Sequence, residues 1–315
     1  MAENGETMTQ SSAADSFNGL WREGYWWSQD ELRLHYRDYP GPEGAEDKLP
    51  MICMPGLTRN ARDFEGIAEH VAKSRRVICV DFRGRGESAY AKNPMTYVPL
   101  TYAQDMMGLF AAAGINRYVA CGTSLGGLVT MLLAMMNGDR LAGVIMNDVG
   151  PVIEEAGIER IKSYVGQGGS QPTWVHAARA AQELHGETFP EWTLDDWLRM
   201  VKCSHKITKE GRIVPDYDSK ILEPLRVTDG QPEVDLWPAF AALGDRPTLI
   251  LRGAISDILS PATAELMVEK LGDATLVTVP NVGHAPMLTE PAAVAAIDAL
   301  LAKADKVEAK REKAA

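Results

Sequence analysis

The chain has 315 residues, 45% hydrophobic and 24% charged, which excludes disorder, collagen and coiled coil as whole-chain descriptions. Forty-three acidic against 32 basic residues give a formal net charge of −11, which repels a phosphate backbone, so nucleic acid is not an expected partner. No apolar run is long enough for a membrane span, and residues 1–17 lack the cationic start and apolar middle of a secretory signal, so a cytoplasmic protein without a membrane partner is expected. Cys53, Cys79 and Cys121 sit in or beside apolar runs, Cys203 stands alone, and no CxxC pair occurs. Reduced core thiols follow, with no metal and no cofactor implied.

Residues 1–20 read as a polar tail. Residues 25–28 and 31–39 then form an antiparallel pair about a turn at Gln29-Asp30. From Pro50 short apolar runs at 51–54, 76–81, 118–122, 141–148, 248–252 and 274–279 predict strands. Amphipathic stretches at 61–73, 101–113, 125–136, 261–271 and 291–302 predict the helices between them. Such alternation, with continuously apolar strands, implies a mostly parallel sheet covered by helices on both faces. The rhythm breaks between strands. Residues 151–238 carry helical patterns at 153–164, 172–185 and 193–204, the last opened by a Thr193…Asp196 capping signature. This interval reads as a helical lid between two late strands, over a core made of 21–150 and 239–305, with 306–315 a charged, fraying tail.

The strongest chemical signal is Gly122-Thr123-Ser124-Leu125-Gly126, between an apolar strand and a helical run. A serine on so tight a turn needs neighbours without side chains, and the turn lifts its hydroxyl above the sheet at a helix N-terminus. That hydroxyl needs a base. Of six histidines, His284 alone follows the last predicted strand in a Gly/Pro-punctuated loop. The base needs an acid to orient it: Asp257, after the penultimate strand, is preferred, and Asp148, ending the strand before the lid, is the alternative. Backbone N–H groups of Leu125 and Leu57 are the candidate oxyanion donors. Arg59, Trp174, Trp197, Met200 and Met287 are candidate substrate contacts, although packing explains the lid tryptophans as easily. Gly84-Arg85-Gly86-Glu87-Ser88-Ala89 mimics a dinucleotide fingerprint, but the proline-bounded residues after it cannot open a helix, so it reads as a turn beside the site.

On Pro55-Gly56-Leu57, the 81–88 segment, the Ser124 turn and Gly283-His284-Ala285-Pro286, the chain resembles a lid-bearing serine hydrolase of the α/β-hydrolase fold family over about residues 21–305. The resemblance implies roles for Ser124, Asp257 and His284 in hydrolysis of a small to medium carboxylic ester or lactone. There are two departures. Pro55 stands where members commonly carry histidine, and Ser256 stands where the acid often lies, Asp257 being one residue later. A carbon–carbon bond hydrolase of a ring-cleavage diketone is the enzymatic alternative, and a non-catalytic ligand-binding protein on the same fold is the other.

Overall fold

The computed structural model describes residues 19–166, 169–227 and 234–314, so all but two residues of the expected 1–20 tail lie outside it. Strands β1 (Arg22–Trp27) and β2 (Arg33–Tyr39) pair antiparallel as expected, the turn between them held by Leu32 N–H donating to the Ser28 hydroxyl. There follow β3 (Met51–Met54), α1 (Glu65–Val71), β4 (Val77–Asp81), α2 (Pro99–Ala112), β5 (Tyr118–Thr123), α3 (Leu125–Asn137) and β6 (Leu141–Asn147). The first turn of the helix expected at 61–73 is instead a 3-10 turn, because the Asn60 side chain accepts from Arg62 N–H and tightens the entry.

Between β6 and the next strand of the main sheet lie α4 (Glu155–Tyr164), α5 (Trp174–His185), α6 (Leu194–Ser204), β7 (His205–Ile207), β8 (Ile213–Pro215), α7 (Glu223–Val227) and α8 (Trp237–Ala241). Thr193 and Asp196 cap α6 reciprocally, as the sequence predicts. The β7–β8 hairpin is not foreshadowed, since three-residue strands are too short to show a period. The chain then returns to the sheet through β9 (Thr248–Gly253), α9 (Pro261–Lys270), β10 (Ala274–Val279) and α10 (Pro291–Ala314).

The eight-stranded sheet has the order β1-β2-β4-β3-β5-β6-β9-β10, parallel from β4 onward. Alternate residues of its central strands enter two cores. Ile52, Ile78 and Ala120 pack with α2, α3 and α9, while Cys53, Cys79 and Cys121 pack with α1 and α10. Both faces are therefore apolar, which is why the strands read as unbroken hydrophobic runs. The segment expected as a fraying tail instead continues α10. Ala304 and Glu308 are buried, Asp305 accepts from both Nη atoms of Arg75 at 2.8 Å, and Arg117 pairs with Glu308. Charged residues that read as solvated in one dimension here meet arginines from α1's end and the approach to β5.

Candidate active site

Ser124 lies between β5 and α3 with φ +52°, a strained value for a residue with a side chain. The strain is held by close packing. A Cβ on Gly122 would stand 2.4 Å from Gly126 O, and one on Gly126 would stand 2.0 Å from Met54 O. Only glycine fits either position. Ser124 N–H donates to Asn147 O at 3.0 Å, tying the turn to the end of β6.

His284 follows β10, and its Nε2 is 2.9 Å from Ser124 Oγ. Its Nδ1 is 2.8 Å from Oδ2 of Asp148, a carboxylate with no exposed surface. The same Oδ2 accepts from the Ser256 hydroxyl at 2.6 Å, and Oδ1 accepts from Gly253 N–H at 2.9 Å. With Nδ1–H pointing at the carboxylate, Nε2 carries the lone pair that faces the serine. Three residues at the ends of β5, β6 and β10 thus meet at one rim of the sheet.

The preference for Asp257 over Asp148 is corrected by this geometry. Asp257 pairs with Arg160 of α4 through Nε and, at 2.8 Å, through Nη2. In the turn after β9, Ser256 N–H donates to Gly253 O and its hydroxyl faces Asp148, so the next side chain points outward to the inserted helices. Burial alone would raise the Asp257 carboxyl, but the Arg160 hydrogen bonds and charge hold it below its ordinary value. The one-residue departure at Ser256 was the sequence signal for this arrangement.

The site opens into a cavity of about 130 Å³ between the sheet rim and the insertion, lined by Leu57, Arg59, Met200 and Met287 among the expected contacts. Trp174 and Trp197 do not line it. Trp197 is buried against Phe189 and Trp192, with ring centroids 6.0 and 4.8 Å away, and both expected tryptophans belong to the second core. They are packing residues because the amphipathic α5 and α6 need a shared apolar core. Among the described residues, the Leu57 and Leu125 N–H groups have no hydrogen-bond acceptor in the chain. A Cβ on Gly56 would lie 3.7 Å from Ser124 Cβ, which brings the Leu57 loop beside the serine. Arg85, buried in the turn that mimics a dinucleotide site, donates through Nε to Leu57 O at 2.8 Å and fixes that loop. The sequence places the turn at 84–89 beside the site without a role for Arg85, and it misses Arg160 and Tyr164 as neighbours of the site, because no local pattern marks them.

The model of the Alpha/beta hydrolase family matches residues 51–297. The fold is similar to a crystallographic α/β hydrolase from Novosphingobium aromaticivorans DSM 12444, 52% identical, TM-score 0.84, with 90% of this chain and 98% of that chain covered. A 3-hydroxybutyrate-oligomer hydrolase of Cupriavidus necator is 31% identical over 270 residues, 84% of this chain and 90% of that protein. A 2-(acetamidomethylene)succinate hydrolase of Mesorhizobium japonicum is 26% identical over 74% of this chain and 81% of that protein. Among the described residues no helix is long and apolar enough to cross a membrane.

Proposed function

From the premise that the chain belongs to the alpha/beta hydrolase family and is a hydrolase, we propose that it cleaves small to medium carboxylic esters, lactones included, through an acyl-enzyme on Ser124. The observation that carries this reading is the continuous contact from Ser124 Oγ through both nitrogens of His284 to buried Asp148. His284 Nε2 takes the hydroxyl proton as Oγ attacks the ester carbonyl, and Asp148 holds the imidazole in the required tautomer and stabilises the imidazolium. The N–H groups of Leu125, at the start of α3, and Leu57 receive the developing oxyanion. His284 then returns its proton to the departing alcohol, and water activated by the same nitrogen releases the acid. The inserted helices act as a cap, and Met200 and Met287 give the acyl group an apolar wall. The name of the Cupriavidus relative, an oligomer hydrolase, favours ester bonds between short hydroxyacids as a starting substrate.

A fluorophosphonate should label Ser124, and Ser124→Ala should lose the label together with hydrolysis of nitrophenyl acetate. Unlabelled wild-type serine, or unchanged turnover in the variant, would defeat the reading. An aryl diketone in the same substrate panel tests the carbon–carbon alternative, since its cleavage in place of the esters would transfer the assignment.

A further inference from the structure

The cavity at Ser124 is lined by two arginines in a protein whose net charge is −11. Arg59 and Arg160 both line it, one from the loop after β3 and one from the inserted α4. Each is held by an acid along one edge. Asp63 takes Nε and Nη2 of Arg59, and Asp257 takes Nε and Nη2 of Arg160. Such two-point pairs fix the guanidinium planes before any ligand arrives, and Arg160 also interacts with the Tyr164 hydroxyl. For Arg59 the remaining edge is poorly used. Its Nη1 meets only the Met200 thioether, 3.2 Å away and a weak acceptor.

The position is also close to the chemistry. A Cβ on Gly56 would lie 3.5 Å from Arg59 Cγ and 3.7 Å from Ser124 Cβ, so the stem of Arg59 and the serine flank one glycine. Arg59 further lines a second cavity of about 450 Å³, together with Thr58, Tyr164, His185 and Met200. It stands where the inner chamber meets the larger one. Both arginines also face His185: burial first, then Arg59 and Arg160, bring it down to about 4. His205 is brought to about 4 by burial and then by Arg59, with Asp216 opposing.

We propose that Arg59, with Arg160 beside it, binds a free carboxylate of the substrate, so that the preferred ester carries an acid group a short chain from the bond that Ser124 attacks. The assignment rests on Ser124 as nucleophile for its position but not for its anion binding. An arginine fork matches a carboxylate in two hydrogen bonds, which an amide of the same shape cannot accept with full charge.

The test compares monomethyl glutarate with methyl glutaramate, its neutral amide counterpart, by pH-stat. Wild type should favour the anionic ester by about tenfold or more in kcat/KM, chiefly through KM, as expected for a charge-assisted contact. In Arg59→Gln combined with Asp63→Asn, which leaves no orphaned acid, that ratio should fall to about one, while Arg59→Lys should keep part of it. Equal use of the two esters by wild type, or a ratio retained in the double variant, overturns the proposal. Glutarate and glutaramide binding to the Ser124→Ala protein by calorimetry gives a second readout that needs neither turnover nor a change at Arg59. Preferential binding of glutarate supports the subsite even if fluorophosphonate labelling has failed, and equal or absent binding of both overturns it.

Discussion

Asp148→Asn and Asp257→Asn separate the two carboxylates that compete for one role. In the proposed mechanism Asp148 holds His284, and an amide there would present a donor to Nδ1 and favour the wrong tautomer. Asp148→Asn should therefore lower kcat by about 10³–10⁴, the scale seen when a triad acid becomes its amide. Asp257→Asn should change kcat severalfold at most, because its oxygens face Arg160. Steady-state kinetics on a nitrophenyl ester decide the matter, and the reverse ranking would return the acid to Asp257. In the same assay kcat/KM should rise with pH through one ionisation, since Nε2 must be unprotonated to accept the Ser124 proton.

At the scale of elements, the insertion is tied to the core by Asn60 and Arg62, which reach Cys203 O and Asp216, and is held together by its own packing. Trp197 of α6 is almost wholly buried with Phe189 and Trp192. Trp197→Ala should cost about 3–5 kcal/mol by cavity formation, read by denaturant unfolding. A stability unchanged, with only KM raised, would instead make it a substrate contact. His185 ends α5, facing the Tyr164 ring with Arg59 and Arg160 near, and His205 begins β7 beside Asp216, Arg59 and Arg62. Both titrate near 4 when folded, against about 6.5 when unfolded. Between those values the unfolded chain binds more protons, so stability falls as pH falls through that window and is fully present above it. Each histidine contributes a slope of up to about 1.4 kcal/mol per pH unit. Replacing both by glutamine should flatten the wild-type loss of stability from about pH 6.5 to about pH 4.5, measured as the difference between the two unfolding series. Parallel series would show that the two half-buried histidines charge in place.

For the whole molecule, α10 packs on one face of the sheet against β6, β9 and β10. Its last turns carry the Arg75–Asp305 and Arg117–Glu308 pairs and bury Ala304. Truncation after Ala302 removes these contacts and leaves Arg75, itself buried, without its acid. The melting temperature should drop by several degrees, on the scale of about 2–4 °C per kcal/mol lost. An unchanged melting curve would make the segment the solvated tail its composition suggests.

Sequence alone determined the parallel sheet, the serine turn and the histidine that meets it. Each is written locally: apolar strands between amphipathic helices, glycines two residues either side of Ser124, and one histidine in a loop after the last strand. Tertiary structure decided which carboxylate meets His284, the fate of the tryptophans and the course of the C-terminal charges. Asp148 and Asp257 both follow strands, and which one meets His284 depends on how the turn after β9 directs Ser256 inward and its neighbour outward. An aromatic on an amphipathic helix has the same spacing whether it faces a ligand or another helix, and a charged residue has the same letter whether it meets water or an arginine. Those outcomes follow from contacts between segments far apart in the chain, which no local pattern encodes.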